Sequence, residues 1–246
     1  MTGMRIVSVS SSYGGTGKTT LAVNIGVAAA RSGLRVAIVD TAMQSPGLAD
    51  ALAVPATWSL ADYLCGDCDI ARAVHHLPPW AAGGEGALFA VAAIRGHEDA
   101  AGALVGGYDP GLLVEGCRRL VDALDLDLLL LDTPAGLTTE AVVCAGIADV
   151  SLHVDRIRGR PPLRLSPSFL VINMVPASLA EPDVLRQARS VHGDVPMTVL
   201  PYSPEFALAG AGEAFVTAHP EHGLSSRIRA VARALTGQPF PGPAPG

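Results

Sequence analysis

The first forty residues confine the chain to a narrow set of folds. Residues 4–10 (MRIVSVS) are a short apolar run with branched side chains, and residues 11–17 are a glycine-rich stretch. Good helix formers follow over residues 18–31, with Gly33 placed as a cap, and residues 34–39 are a second apolar run that stops at Asp40. Strand, loop, helix and strand within about 35 residues is the pattern of a parallel α/β unit, because parallel neighbours need a crossover and a helix supplies it.

The rest of the chain continues the alternation. Strand-like runs lie at residues 88–92, 126–131 (ending at Asp132), 150–154, 169–174 and 197–200. Helical patterns lie at residues 60–64, 70–77, 109–124, 139–148, 179–191 and 224–235. The expected fold is one doubly wound α/β domain over residues 1–236, with a mostly parallel sheet of about seven strands and helices on both faces. Residues 237–246 (GQPFPGPAPG) are too rich in proline and glycine to pack and are expected to be a disordered tail. One connection is irregular: residues 155–168 contain Pro161, Pro162 and Pro167, so that crossover is either extended or joins strands that are not neighbours.

Composition removes several function classes. At 49% apolar and 16% charged, the chain can bury enough surface to offset its conformational entropy and is not disordered. Its longest apolar runs, such as residues 128–131 and 87–94, are too short to span a membrane. No basic-then-apolar leader opens the sequence and the four cysteines lack a framework spacing, so a reducing, cytoplasmic location is expected. A net charge of −6 argues against a protein that grips nucleic acid with its whole surface. Of the 17 basic residues, Lys18 is the only lysine. A position that keeps lysine where every other is arginine needs a compact ammonium rather than a planar fork.

That lysine lies in Tyr13-Gly14-Gly15-Thr16-Gly17-Lys18-Thr19-Thr20, between a strand and a helix. Glycines let backbone N–H groups turn inward around phosphates, and the helix N-terminus adds partial positive charge. Lys18 would reach the β- and γ-phosphates and the Thr19 hydroxyl would ligate Mg²⁺. The pattern G-x-x-x-x-G-K-[ST] fails only at its first glycine, where Ser12 stands.

GGTGKTT, followed by VAIVDTAMQSPGL and LLLLDTPAG, resembles the MinD/ParA family of deviant-Walker-A P-loop ATPases, in order and over nearly the whole chain. The resemblance implies a protein that binds ATP (or ADP) with Mg²⁺, dimerises face to face around ATP and Mg²⁺, and positions, partitions or regulates a bacterial partner. It assigns Asp132 to Mg²⁺, Asp40 to an assisting role, residues 133–136 (TPAG) to the second switch, Asn173 to reading adenine and Pro201-Tyr202 to packing the base. As an alternative, Asn173 simply caps its strand. Two departures bear on catalysis. The family's signature lysine, which reaches across the dimer, is Tyr13 here, and the second aspartate of its D-x-D, which positions water, is Ala42. Loss of a cation and a carboxylate at a phosphoryl-transfer site costs orders of magnitude in rate. The resemblance with these departures implies ATP binding with slow hydrolysis, the alternative being a degenerate scaffold or adaptor without turnover.

Three other features are weighed. Cys65-Gly66-Asp67-Cys68 with His75 and His76 has zinc or redox spacing, but it reads as helix, turn, helix, so structural cysteines are expected. Arg156, Arg158, Arg160 and Arg164 form a basic run in the irregular crossover, either a solvated loop or a contact with nucleotide, dimer partner or nucleic acid. The stripe Leu224, Ile228, Val231 and Leu235 belongs either to a final helix packed on the sheet, the expectation, or to a membrane-surface helix.

Overall fold

A computed structural model describes residues 3–55, 57–78, 81, 85–95, 107–157, 167–207 and 212–237. Its apolar runs are the strands β1 (Arg5–Ser10), β2 (Arg35–Asp40), β3 (Val74–His76), β4 (Ala87–Val91), β5 (Leu128–Asp132), β6 (Val150–Asp155), β7 (Phe169–Val175) and β8 (Met197–Pro201). The helices are α1 (Lys18–Arg31), α2 (Leu48–Leu52), α3 (Leu60–Leu64), α4 (Pro110–Leu124), α5 (Thr139–Ile147), α6 (Glu181–His192), α7 (Pro204–Ala207), α8 (Phe215–Ala218) and α9 (Gly223–Leu235).

Among the described residues the strands make one eight-stranded sheet in the order β3-β4-β2-β5-β1-β6-β7-β8. Every pairing is parallel except β3 with β4. Burial on both faces explains why these strands read as continuous apolar runs rather than alternating ones. In β5, Leu128 and Leu130 face a core shared with α1, α2, α8 and α9, while Leu129 and Leu131 face one shared with α3, α4 and α5. A third cluster packs α6, through Val184 and Ala188, on Leu170, Ile172 and Val199.

The eighth strand is where periodicity misled. Residues 70–77 have a helical pattern, yet they form a 3₁₀ turn at Ile70–Ala73 followed by β3. Three residues of antiparallel edge strand are too few to set up a period of two, and β4 beside them supplies the ladder. The irregular crossover joins true neighbours, since β6 pairs in parallel with β7. Residues 158–166, and with them Arg158, Arg160 and Arg164, lie outside the described residues, as does the tail beyond residue 237. Leu224, Ile228, Val231 and Leu235 are all buried, and the stripe of α9 packs into the core beside α1. No described helix is long and apolar enough to cross a membrane.

Candidate functional site

The strand order places a row of polar residues along one edge of the sheet. β2 ends at Asp40, β5 at Asp132, β1 at Ser10 and β6 at Asp155, and β7 carries Asn173 near its end. Asp40 pairs in register with Asp132, and Ser10 with His153. In a parallel sheet these are all carboxyl ends, and β1 is where the chain turns to β2 on one side while β6 lies on the other. Such a switch point opens a crevice above the strand ends.

The loop leaving β1 lies over this crevice. Gly17 caps α1 in the left-handed region at φ 85° and offers no side-chain acceptor to the first-turn N–H groups. A Cβ there would also come within 2.7 Å of Asn173 Nδ2, so only glycine fits. Lys18 Nζ donates to Ser11 Oγ at 2.9 Å, and the Thr19 hydroxyl donates to Asp132 Oδ2 at 2.5 Å. Burial holds the Lys18 ammonium below its ordinary pKa, against the pull of Asp132 and Asp40. Gly136 donates its N–H to the Ser11 carbonyl, tying residues 133–136, where the resemblance places the second switch, to the loop.

The two strand-end carboxylates differ. Asp40 accepts backbone N–H bonds from Ala42, Gly47 and Leu48 at 2.9–3.1 Å, so its oxygens fasten the loop between β2 and α2. Asp132 accepts from Thr19 through one oxygen, while Oδ1 is buried without a hydrogen-bond partner. Burial, with repulsion from Asp40, pushes Asp132 up to about 7. A buried carboxylate oxygen left over beside a hydroxyl and a second carboxylate has the chemistry of a hard-cation site, so these residues fit Mg²⁺. Thr19 and Asp132 are the donors that would hold it.

The bracing of the loop from behind has no counterpart in the motif. His153 of β6 is 1% exposed, and its Nδ1 and Nε2 lie 3.1 and 3.2 Å from the hydroxyls of Ser10 and Ser12. The departure from glycine at position 12 thus has a partner: Ser12 uses its side chain to tie the loop to β6. Burial pushes His153 down to about 4, which keeps the ring neutral between the two hydroxyls. A polar residue in the apolar run 150–154 was the available signal. Next to it, Asp155 Oδ2 faces His192 Nε2 of α6 at 3.5 Å.

Asn173 is buried, donates Nδ2–H to the Thr16 carbonyl at 2.8 Å and accepts the Met174 N–H at Oδ1. It therefore braces the loop from β7 as well as lying near the expected base end. Pro201 is exposed at the end of β8, and Tyr202 beside it is 54% exposed. Ala42 is buried where the resemblance places a carboxylate, and Tyr13 is half-buried. Arg156 reaches the Gly15 carbonyl with Nη1 at 3.5 Å. Away from the site, Cys65 is exposed after α3 and Cys68 is half-buried, its thiol pushed up by burial. Cys117 and Cys144 are buried, and burial pushes each up to about 12.

Comparison with known proteins agrees with this geometry. The family model of the CobQ/CobB/MinD/ParA nucleotide binding domain matches residues 7–214. The septum site-determining protein MinD of Pyrococcus horikoshii, solved with Mg-ADP, superposes with a TM-score of 0.74 at 24% identity, covering 94% of this chain and 96% of that one. The ATP complex of a point variant of McdA from Cyanothece gives 0.74 at 16% identity, covering 97% and 98%. At these identities the two likenesses speak for the fold. An uncharacterized ATP-binding protein of Methanocaldococcus jannaschii is 30% identical over 146 residues, which is 58% of this chain and 49% of that relative. The chain thus spans about half the length of the curated relative it matches. With the family model covering most of its length, the chain belongs to the CobQ/CobB/MinD/ParA nucleotide binding domain family.

Proposed function

We propose that the chain binds ATP with Mg²⁺ at residues 14–20, dimerises in its ATP form and acts as a nucleotide switch for a protein partner in the cytoplasm. The observation that carries this is the joint placement of Lys18, Thr19 and Asp132 over the strand-end crevice, within hydrogen-bond reach of one another or of the loop. Lys18 Nζ would exchange Ser11 for phosphate oxygens, and the loop N–H groups of Gly14 to Thr20 would receive the rest of the polyphosphate. Mg²⁺, when bound, supplies Lewis-acid stabilisation of charge on the phosphate oxygens. Thr19 and Asp132 would hold it, while Asp40 adds negative charge and anchors the switch loop. Asn173 and Pro201 would meet the base. A switch of this kind requires one nucleotide state to bind the partner better than the other. The second switch, tethered to Ser11 through Gly136, would respond to the terminal phosphate.

Turnover is proposed to be slow. The Ala42 methyl cannot orient a water, and the Tyr13 phenol carries no positive charge to stabilise the transferring phosphoryl group. The same two residues favour the second reading, a scaffold that keeps nucleotide without turnover. A single-turnover phosphate-release assay at several protein concentrations separates them, with molar mass by light scattering in ATP and in ADP. Slow release that quickens as protein concentration rises, with a dimer only in ATP, supports the switch. Bound ATP with no release over hours supports the scaffold, and an unchanged monomer in ATP removes the dimer. Nucleic acid and membrane surfaces are not proposed as partners.

A further inference from the structure

The phosphate loop is flanked by a second cation besides Lys18. β6 ends at Asp155, and the next residue, Arg156, turns its guanidinium over the loop so that Nη1 donates to the Gly15 carbonyl at 3.5 Å. The start of the crossover is fixed in place. The Arg156 N–H donates to Asp155 Oδ1 at 2.7 Å, and the other oxygen of Asp155 faces His192 of α6. Arg156 therefore leaves the sheet beside the loop and meets it at Gly15, while Lys18 meets it at Ser11.

The lip of the loop is open where this guanidinium lies. Gly14 and Gly15 are exposed, and a Cβ built on either would meet nothing within 4 Å. The bond to Gly15 is at the long limit for N–H···O, and a guanidinium gives up such a bond readily for short charge-assisted ones to a phosphate. Charge balance points the same way. A triphosphate with one Mg²⁺ remains anionic, Lys18 is the only lysine of the chain, and Asp40 and Asp132 stand behind it. A planar fork suits the open lip, as a compact ammonium suits the ring of amides within the loop.

We propose that Arg156 is the second phosphate-binding cation of this site, its guanidinium contacting the terminal phosphate of a nucleoside triphosphate laid along the loop. This rests on the proposed triphosphate binding and adds to it a residue that distinguishes triphosphate from diphosphate. A diphosphate bound at Lys18 ends short of the lip, so Arg156 contributes to affinity only when the third phosphate is present.

The test is a calorimetric titration, with Mg²⁺, of the wild type and the Arg156→Ala and Arg156→Lys variants, using the β,γ-imido analogue of ATP and, separately, ADP. Arg156→Ala is expected to weaken the analogue by about tenfold, the loss of one charge-assisted hydrogen bond. ADP affinity should change by less than about twofold on the same reasoning, and this also reports that the variant is folded. Arg156→Lys should recover part of the loss. Equal weakening of both nucleotides would overturn the proposal, because it would mean that Arg156 only braces the loop. So would unchanged affinity for the analogue. A wild type that binds neither nucleotide would instead overturn the triphosphate reading on which the proposal rests.

Discussion

Replacing Asp132 with asparagine should make the nucleotide-free protein more stable while weakening its response to Mg²⁺ and ATP. Asp132 is 1% exposed, and burial together with the Asp40 charge pushes it from 3.8 up to about 7. For an acid whose folded pKa is raised, stability is full below the unfolded value and is lost as pH rises toward the folded one. A rise of this size corresponds to about 4 kcal/mol above pH 7. That is a ceiling, since part of the repulsion is shared with Asp40, which burial also raises. Asparagine keeps an acceptor for the Thr19 hydroxyl and removes the charge. In a chain of this size each kcal/mol moves Tm by about 2–4 °C, so half the ceiling gives a rise of about 5 °C. Thermal melts in chelator at pH 6 and pH 8 read the effect, and the gap between variant and wild type should widen by about 1 kcal/mol over that interval. With Mg²⁺ and ATP added, the wild type should gain more than the variant. An Asp132→Asn protein that melts at or below the wild type at pH 8, or a gap that does not widen with pH, would refute the picture of a site strained toward a cation.

Other perturbations follow from single contacts. His153, pushed down to about 4 by burial, has a folded pKa below its unfolded one, so its contribution is complete above about 6.5 and is lost as pH falls toward 4. Denaturant titrations should find about 2 kcal/mol less stability from this group at pH 5 than at pH 7.5, a loss that His153→Gln removes. Gly86→Ala should unfold or severely destabilise the chain, because the new Cβ would lie 1.9 Å from the Ala30 carbonyl oxygen; soluble yield and circular dichroism check it. Tyr13→Lys should raise single-turnover phosphate release by at least about tenfold by returning a cation to the loop, measured in the same assay as the wild type.

How much of this was legible in the sequence depended on how local the signal was. The loop between β1 and α1 could be placed because its glycines, Lys18 and Thr19 are contiguous and lie between an apolar run and a helical one. Asp40 and Asp132 could be read because each ends an apolar run, and strand ends in a parallel sheet converge. β3 could not, since three residues paired with β4 carry too little pattern to outweigh the helical spacing around them. The bracing of the loop was also hidden. Ser12 lies 141 positions from His153, and Asn173 lies 157 from Thr16, so those bonds exist only once β6 and β7 lie beside β1. The same distance concealed Arg156, whose basic run reads as a solvated loop until β6 brings it to Gly15. Even the failed first glycine of the motif is explained only in three dimensions, by a serine hydroxyl that has found a buried histidine.

The lone lysine offers the most direct test of nucleotide binding. Calorimetric titration of ATP with Mg²⁺ into the wild type and into Lys18→Arg compares a compact ammonium with a planar fork of equal charge at one position. The expected result is saturable binding by the wild type and a loss of at least about a hundredfold in the variant, although its charge is unchanged and its melting curve stays cooperative. A wild type that takes up no ATP, or an arginine variant that binds it equally well, would contradict the assignment of Lys18 and its loop as the phosphate site.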